Sequence, residues 1–472
     1  MSQHTQPHLQ WGGRFTAPPD AHLLAFGASL QDDLVLAPFD LACSQAHVDA
    51  LAGGGIIDSA RAAALHSALG IVEGEIADGR FFTTATASGA EDIHGAIDAR
   101  VRELCQNGDG DWLHAGRSRN DQVATTLALY SADRATRGMH HCREIATVLL
   151  DVAELHEHTV IAGTTHWQPA QPISLAFWLL AAAEPFLRSA TRFAQAHADA
   201  MRSCPLGSAA LAGSSLPLDR NAAAKRLGFA SVSRNAMDAI GTRDSLLDVA
   251  NAFARSVVDA SRVCSELIIW ATPAFGYVRL GDASSTGSSL MPQKRNPDPF
   301  ELVRGAASEI HALASGAVTS LIGLGLSYHR DLQQTKRMGI AAIERAMCTL
   351  SAFSLALADT TFLPEACARL ASGGYTVATD IADALITHGA SARQAHALVG
   401  AAVGLAEQQE RELDVHDLAK LSIAIHATNL HAPLDAQASI AAKITAGSTA
   451  PSAVRAEIDA LRADLLQFEM TL

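Results

Sequence analysis

The spacing of the prolines constrains the fold of this chain more than any other feature. No proline occurs between Pro38 and Pro169, between Pro217 and Pro273, or between Pro299 and Pro364. A proline inside a helix removes a backbone hydrogen bond and clashes with the preceding turn, so each gap leaves room for long uninterrupted helices. Alanine and leucine dominate the 472 residues, and alternating runs of Val, Ile, Thr and Tyr are almost absent. The pattern predicts a mainly α-helical protein.

Helical periodicity places several of these helices. Asn120 or Asp121 is expected to cap a helix that runs towards His158, with apolar residues at helical spacing. These are Val123, Leu127 and Tyr130. A second helix is expected from Arg243 to Trp270. Its apolar stripe consists of Leu246, Leu247, Val249, Ala250, Phe253 and Val257.

A third helix is predicted over Pro299 to Leu321, following the dipeptide Asn296-Pro297. Pro185 lies within an otherwise helical run and is expected to kink a helix or mark its first turn. Candidate domain boundaries lie near Gly116 and near Leu363-Pro364. They predict an N-terminal helical domain over 1–115, a central long-helix domain over 116–363 and a C-terminal helical domain over 364–472.

Composition limits the possible partners and the compartment. The net charge of −14 argues against nucleic acid and anionic membranes as partners, although a local site can still bind small anions. The seven cysteines are scattered, which favours reduced thiols over a disulfide framework or a zinc site. The N-terminus has no apolar segment typical of a secretory signal, and the apolar run near Leu175 to Ala183 is too short to span a bilayer. We therefore expect a cytoplasmic protein without a metal site.

The segment TGSSLMPQKRNPD, Thr286 to Asp298, is the most informative motif for function. Small residues at a turn let the backbone approach a ligand and direct N–H groups at an anion. Lys294 and Asn296 add a positive charge and an amide donor to the same loop. Such a loop can hold a carboxylate and stabilise negative charge that develops on it. The alternative is a Gly/Ser/Pro surface loop that carries a basic residue by chance.

Further motifs occur along most of the chain. They are WGGRF (11–15), FGAS (26–29), Asp40 with Ser44, Ala46 and His47, EDIH (91–94), GRSRNDQV (116–123), GTTHWQPAQP (163–172), PLGSAALAGS (205–214), YHRDLQQTK (328–336) and GGYTVATDIADAL (373–385). Together with the Thr286 loop, this ordered set resembles the fumarase/aspartase superfamily, and the PQKRNPD ending resembles its argininosuccinate lyase branch.

The resemblance implies an all-α fold of three helical domains whose long central helices pack into a four-subunit bundle. It implies a homotetramer in which three subunits contribute to each active site. The implied reaction is the β-elimination of argininosuccinate to arginine and fumarate, a step of arginine biosynthesis. The chemistry needs no cofactor. The substrate is a small anion, consistent with a basic loop on an acidic chain.

The resemblance also implies a role for individual residues. Ser288 is the expected general base, with Ser289 as its rival, because the hydroxyl alone is a weak base and needs surrounding donors. His166 is expected to pass a proton to the leaving nitrogen or to orient the substrate, and Glu301 to pair with it. Lys294 is expected to stabilise developing charge. The expected substrate-binding residues are Ser29, Arg119, Asn120, Thr165, Asn296, Tyr328, Gln333 and Lys336.

Several positions depart from the argininosuccinate lyase pattern. They are Ala115, Trp167, Ile322, Gly325, His329, Gln334 and Thr335. Gln334 and Thr335 stand where an acidic pair is usual, so recognition of the departing amine is the part of the function most open to change. The alternative is a lyase of the same mechanism that acts on another N-substituted aspartate. A more remote alternative is a non-catalytic, crystallin-like structural relative.

Overall fold

The computed structural model describes residues 20–413, residue 417 and residues 431–470, with side chains described as far as residue 466. The WGGRF motif therefore lies outside the described residues. The chain divides into two compact units. The first contains Met1–Met139, Thr191–Arg255 and Ala307–Cys348, and the second contains His140–Ala190, Ser256–Ala306 and Thr349–Leu472. The three-domain division at residues 115/116 and 363/364 stays a prediction.

Helices make up most of the described chain. The N-terminal helices are α1 (Ala21–Gly27), α2 (Leu30–Asp33), α3 (Ala37–Gly53), α4 (Ser59–Ala77), α5 (Arg80–Ser88) and α6 (Ile93–Leu104). They are followed by α7 (Arg119–Leu155), α8 (Leu175–Ala200), α9 (Arg220–Arg226), α10 (Ala236–Gly241), α11 (Asp244–Trp270), α12 (Asp298–Thr319) and α13 (Leu332–Ala358). The remaining helices are α14 (Pro364–Ala371), α15 (Ala378–Thr387), α16 (Ala392–Gln408), α17 (Ala436–Ala442) and α18 (Pro451–Met470).

Two short antiparallel pairs of strands interrupt the helices. Strands β1 (Val160–Thr165) and β2 (Gln168–Ser174) form a hairpin. Strands β3 (Val278–Leu280) and β4 (Thr360–Phe362) form the second pair. The expectation of a mainly helical chain is confirmed, and the β1–β2 hairpin carries the motif around His166.

The long helices match the sequence predictions closely. Helix α11 begins at Asp244 and ends at Trp270, and the predicted stripe from Leu246 to Val257 is buried. Helix α12 covers Asp298–Thr319, close to the predicted range. Pro185 lies inside α8 rather than in its first turn.

The start of α7 corrects one local prediction. The helix begins at Arg119, and the hydroxyl of Ser118 accepts the backbone N–H of Asn120 at 3.2 Å. The Asp121 carboxylate in turn accepts the N–H of Ser118 at 2.9 Å. Ser118 is therefore the capping residue, and neither Asn120 nor Asp121 has that position. The side chain of Ser118 accepts a backbone N–H of the first turn, and the side chain of Asp121 accepts the N–H of Ser118, as in a capping box.

Each unit has its own apolar core. In the first unit, a cluster that includes Cys43, Ala46, Cys204 and Leu206 packs α3 against α7 and the segment before α9. In the second unit, residues of α15 and α16 form one cluster, and Val160, Ala371, Ala436 and Ile440 form another beneath the β1–β2 hairpin. Burial of these side chains is the main stabilising contribution, at about 25 cal/mol per Å² of apolar surface.

Among the described helices, α13 alone is long and apolar enough to cross a membrane by length and composition. Its most apolar window has a mean hydropathy of 1.5, and 56% of that window is buried inside the chain. A helix in the core of a globular protein has the same properties.

Candidate active site

The hairpin between β1 and β2 presents His166 at its tip. Thr165 pairs with Gln168, so His166 and Trp167 form a two-residue turn. Both adopt positive φ, 55° for His166 and 60° for Trp167. Hairpin turns of this kind favour glycine or asparagine because a Cβ crowds the backbone there. The motif around His166 is therefore held by a left-handed turn built from two bulky residues.

The loop from Thr286 to Asp298 in the second unit is closed at its base by a backbone bridge. The N–H of Asn296 donates to the carbonyl of Thr286 at 2.9 Å, and the N–H of Thr286 donates back at 3.3 Å. The Asn296 amide adds bonds to the Thr286 hydroxyl at 3.3 Å and the Gly287 carbonyl at 3.4 Å. In this conformation the Asn296 donors hold the loop together.

Ser288 is distinguished from its neighbour by its hydrogen bonds. Its Oγ accepts the backbone N–H of Met291 at 3.1 Å and that of Leu290 at 3.3 Å. Ser288 is partly buried, whereas Ser289 is exposed. Backbone N–H groups directed at a hydroxyl oxygen favour its deprotonated form, because they donate to the negative charge.

Lys294 and Glu301 are both exposed in the single chain. Among the described residues, the Lys294 ammonium has no hydrogen bond or ion pair, so it remains available to an anion. Glu301 lies in the first turn of α12. Within the described part of the chain, His166 and Glu301 form no hydrogen bond or ion pair with each other, so their pairing stays a prediction.

Arg119 in the first unit is held by an acidic and an amide partner. Its Nε lies 3.1 Å from Asp92, and its NH1 donates to Gln122 at 2.8 Å. The Gln122 amide donates to the buried Asp40 at 2.8 Å, and His94 contacts the same Asp40 oxygen at 2.7 Å. A bonded chain therefore runs from a predicted substrate-binding residue into the core, and it fixes the position of the guanidinium.

Electrostatics explain why Asp40 remains ionised at the buried end of this chain. Burial raises the pKa of Asp40. The charge of His94, its hydrogen bond, and the charges of Arg117 and Arg119 together outweigh burial and lower the pKa to about 2. The pKa values of two nearby histidines are also lowered, which favours their neutral forms. Burial, aided by the charge of Arg117, lowers the pKa of His114 to about 3 and that of His47 well below its usual value.

Asn120 and Asp121 attach the start of α7 to the segment PLGSAALAGS. The Asn120 amide donates to the carbonyl of Ala210 at 2.9 Å. The Asp121 carboxylate accepts the N–H groups of Gly207 at 2.9 Å and Ala209 at 2.8 Å. Two motifs that lie more than eighty residues apart in sequence are joined in this way.

Ser29, Gln333 and Lys336 meet in the first unit. Lys336 Nζ lies 3.3 Å from Ser29 Oγ and 2.6 Å from the carboxylate of Asp33. Gln333 donates to the carbonyl of Gly27 at 3.1 Å. Sequence reasoning missed Asp33. Its spacing of four residues from Ser29 was the available signal, since Ser29 precedes the short helix α2 and Asp33 ends it.

Tyr328 is partly buried in the first unit, and its phenol interacts electrostatically with Arg243. Arg243 is buried, and burial lowers its pKa to about 10. Its guanidinium donates to the carbonyls of Ile240 at 3.1 Å and Thr242 at 2.6 Å. Arg243 is therefore a buried cation beside Tyr328, a predicted substrate-binding residue. Nothing in the sequence indicated this role for Arg243.

The positions that depart from the family pattern have different environments. Thr335 is fully buried, and its hydroxyl lies 2.6 Å from that of Ser320, whereas Gln334 is exposed. The carbonyl of Ala115 contacts His47 at 2.9 Å. Ile322, Gly325 and His329 lie in the exposed segment before α13. Of these positions, Trp167, Gln334 and the three residues before α13 are exposed to solvent, whereas Thr335 is not.

The predicted residues are thus divided between the units. Ser29, Arg119, Asn120, Tyr328, Gln333 and Lys336 belong to the first unit, and Thr165, His166, Ser288, Lys294, Asn296 and Glu301 belong to the second. Within the described ranges, no group of three or more His, Cys, Asp or Glu side chains is arranged to hold a metal ion.

Two family models match the chain. The model described as Lyase covers residues 13–312, and the model described as Argininosuccinate lyase C-terminal covers residues 375–441. The chain is 38% identical over 465 residues to the argininosuccinate lyase of Mycobacterium leprae (strain Br4923), with 98% of each chain covered. It is 39% identical over 463 residues to argininosuccinate lyase 1 of Mesorhizobium japonicum, with 97% of this chain and 98% of that one covered.

Solved structures share the fold. An EDDS lyase in complex with formate matches with a TM-score of 0.80 at 24% identity, covering 95% of this chain and 90% of that one. A fumarate lyase from Mesorhizobium sp. BNC1 matches with a TM-score of 0.67 at 16% identity, covering 96% of this chain and 99% of that one. The helical architecture, the ordered motifs and the full-length relatives together show that the chain belongs to the argininosuccinate lyase family of the fumarase/aspartase superfamily.

Proposed function

We propose that this chain is a carbon–nitrogen lyase that splits argininosuccinate into arginine and fumarate, a step of arginine biosynthesis. The observation that carries the proposal is the Ser288 loop, in which two backbone N–H groups donate to one serine oxygen beside an exposed lysine. Full-length similarity to argininosuccinate lyases supports the choice of substrate.

In the proposed reaction, Ser288 acts as the base. Its deprotonated oxygen takes the proton from the carbon next to a carboxylate, and the electron pair of that C–H bond forms the double bond of fumarate. The C–N bond breaks, and its electron pair remains on the leaving nitrogen. Removal of the proton places extra negative charge on the carboxylate, so the Lys294 ammonium stabilises the intermediate. The N–H groups of Leu290 and Met291 lower the cost of forming the serine anion.

The leaving nitrogen needs a proton, and His166 is the proposed donor or orienting group. The left-handed turn fixes the backbone of His166 at the hairpin tip. Glu301 is its proposed partner, since a carboxylate stabilises the protonated imidazole. Because the two residues do not pair within the described chain, we propose that they meet across a subunit boundary.

Two carboxylates of the substrate require donors, and Arg119, Asn120, Thr165 and Asn296 are the proposed contributors. Arg119 suits this role because a guanidinium offers five N–H groups in a planar fork. Its bonds to Asp92 and Gln122 fix the orientation of the guanidinium. Tyr328, Gln333, Lys336 and Ser29 are proposed to contact the amine half.

A panel of N-substituted aspartates tests this function. Fumarate release from argininosuccinate, followed by ultraviolet absorbance, supports the main proposal. Release from other N-substituted aspartates but not from argininosuccinate would select the alternative lyase. No release from any member of the panel would leave a crystallin-like structural role. Intact Ser288, His166 and Lys294 favour an enzyme over that role.

The departures near Tyr328 provide a second test of substrate choice. If argininosuccinate is a poor substrate, the combined change Ala115→Thr, Gln334→Glu and Thr335→Asp should move activity towards it. Gln334→Glu introduces its charge at an exposed position, whereas Thr335 is buried against Ser320. An unchanged substrate profile would place specificity elsewhere.

We further propose that the enzyme is a cytoplasmic homotetramer that needs no cofactor and binds neither nucleic acid nor membranes. The acidic net charge of −14 supports the absence of nucleic-acid and anionic-membrane partners. The absence of a His166–Glu301 pair within the described chain supports sites shared between subunits.

A further inference from the structure

The β1–β2 hairpin, which carries His166, is buried at its base and exposed at its tip. The first three residues of β1 are buried and its last two are exposed. Strand β2 runs the other way, from two exposed residues to the buried Ser174. In the single chain His166 is exposed and Trp167 is 57% exposed. The packing of the base therefore decides where His166 lies.

The length of the hairpin amplifies small changes at its base. Strand β2 has seven residues and a strand extends by about 3.3 Å per residue, so the tip lies about 20 Å from Ser174. A rotation of the base by about 3° moves the tip by about 1 Å, and a displacement of that size in an active site can lower the rate about a hundredfold. A two-stranded hairpin is only marginally stable by itself, so contacts outside its own pairing have to hold it.

Thr449 ties the C-terminal segment to the base of the hairpin. Its Oγ1 accepts the backbone N–H of Ser174 at 2.7 Å and lies 3.5 Å from Ser174 Oγ. Ser174 Oγ in turn accepts the N–H of Phe177 at 3.1 Å, so Ser174 both ends β2 and caps α8. Thr449 is 5% exposed and Ser174 is 0% exposed. Removal of the Thr449 hydroxyl would leave a buried N–H without its acceptor.

The segment around Thr449 is itself anchored on both sides. Before it, α17 is attached to the buried Asp380, which accepts the hydroxyl of Ser439 at 2.6 Å. After it, α18 is attached to α7 by Arg462, which donates to Glu154 at 3.1 Å. Helices α14 and α17 also pack against both strands of the hairpin. Thr449 is therefore a fixed point against which the hairpin is oriented.

We propose that Thr449 is a positioning residue of the reaction. By accepting the N–H of Ser174, it sets the direction of the hairpin and so places the His166 imidazole at the substrate. Thr449 touches no reacting atom and acts through His166. The inference rests on the proposed function, because the direction of the hairpin affects the rate only in a reaction that uses His166.

Hydrogen exchange of the full-length protein tests the placement without any substrate. In Thr449→Val, the backbone amides of residues 160–174 are expected to exchange about tenfold faster than in the native protein, while those of α16 keep their native rate. Thr449→Ser retains the hydroxyl and should restore native exchange. Native exchange of the hairpin in Thr449→Val would overturn the proposal.

Thr360→Val is the matched control for the loss of a buried threonine hydroxyl. Thr360 is 8% exposed, and its hydroxyl donates to the carbonyl of Ala356 at 2.8 Å. It lies in the same unit, on β4, which pairs with β3 rather than with the hairpin. Thr360→Val should leave both hairpin exchange and turnover near native. Faster hairpin exchange in this control as well would reduce the effect of Thr449→Val to general destabilisation.

A double-mutant cycle separates positioning from a merely structural role. Thr449→Val should lower kcat/KM for fumarate release about tenfold in the native background, but less than about twofold in His166→Asn, because an absent imidazole cannot be misplaced. Thr449→Ser should recover most of the activity. If Thr449→Val does not fold, Thr449→Ala takes its place in the cycle with the same expected pattern. The same factor in both backgrounds would refute the assignment.

Failure of the proposed function is measured separately. If argininosuccinate releases no fumarate, hydrogen exchange still decides whether Thr449 holds the hairpin, and the cycle is repeated with the N-substituted aspartate that the panel selects. Full activity in His166→Asn counts against the proposed role of His166 and, with it, against an effect of Thr449 on the rate. Unchanged hairpin exchange counts against Thr449 alone.

Discussion

The Ser288 hydroxyl differs from that of Ser289 in one property that matters for chemistry. Ser288 Oγ already accepts two backbone N–H groups, whereas Ser289 is exposed at the tip of the same loop. The family motif favours Ser288 over Ser289 as the general base. The two hydrogen bonds to Ser288 are an independent physical reason for the same assignment. The sequence alone is compatible with a turn-capping serine, and the structure shows that the capping geometry is also the geometry that stabilises an alkoxide.

Ser288→Ala should abolish fumarate release and leave the fold nearly unchanged. Loss of the base should lower kcat by several powers of ten, while the free energy of unfolding should change by about 1 kcal/mol, since two exposed-loop hydrogen bonds are lost. Steady-state kinetics and denaturant unfolding give both values. Ser289→Ala is the matched control. An inactive Ser289→Ala beside an active Ser288→Ala would reverse the assignment.

Buried histidines should make the protein less stable in mild acid. Burial holds the pKa of His114 at about 3 and that of His47 well below 6.5 in the folded state. The unfolded chain takes up these protons near pH 6.5, so stability is complete above that pH and falls as pH decreases towards the folded value. Each histidine should contribute a loss of about 1–2 kcal/mol between pH 7 and pH 5.

Denaturant unfolding at fixed protein concentration, at pH 7 and pH 5, measures this loss. His114→Gln should reduce the difference between the two pH values, whereas His140→Gln, at an exposed position of α7, should not. Asp40 acts in a lower range. Because its folded pKa is about 2, against a usual 3.8, its contribution is present above pH 3.8 and is lost as pH falls towards 2. Identical pH dependence in His114→Gln and the native protein would refute the assignment to His114.

At the level of secondary structure, the β1–β2 turn is the least expected element. Neither turn residue, His166 or Trp167, is the glycine or asparagine that such a turn usually contains. The pairing of Val160–Thr165 with Gln168–Ser174 nevertheless requires two left-handed residues. Strained backbone of this kind is maintained where it holds a side chain in place, and here that side chain is His166.

Substitutions at Trp167 should report this strain. Trp167→Gly removes the Cβ from a left-handed position, whereas Trp167→Val adds a β-branched side chain to it. We expect the glycine variant to unfold with a free energy about 1–2 kcal/mol higher than the valine variant. Denaturant midpoints at one protein concentration compare the two, and Trp167→Asn should lie between them. If valine is as stable as glycine, the turn is not strained in solution.

At the scale of the whole molecule, the exposed faces of the long helices matter most. The exposed residues of α12 include the apolar Leu302, which is 69% exposed, and Val318, which is 41% exposed, together with the small residues Gly305 and Ala312. Helices that present small and apolar residues to solvent can pack closely against further helices. These exposed residues support the proposed tetramer.

Two inactive variants should restore activity to each other if sites are shared. Ser288→Ala and Lys336→Ala affect residues of different units, and each variant alone should be inactive. Unfolding and refolding a mixture should give mixed tetramers in which some sites contain no substitution. Fumarate release from the mixture, together with a tetrameric mass in sedimentation, is the expected result. A fully active monomer, or no recovery in mixed tetramers, would contradict shared sites.

The helical class, the bounds of long helices and the family could be predicted from the sequence, because they depend on local patterns rather than on contacts between distant residues. Proline spacing and apolar periodicity determined the helical class and the bounds of α11 and α12 within two residues, since helix formation depends on neighbours three and four positions apart. The ordered motifs determined the family. Only the tertiary structure revealed Asp33, Arg243 and the chain from Arg119 to His94, because buried ion pairs and hydrogen bonds join residues far apart in sequence. The contact between Ser29 and Lys336 joins residues more than three hundred positions apart, so no local sequence pattern encodes this contact.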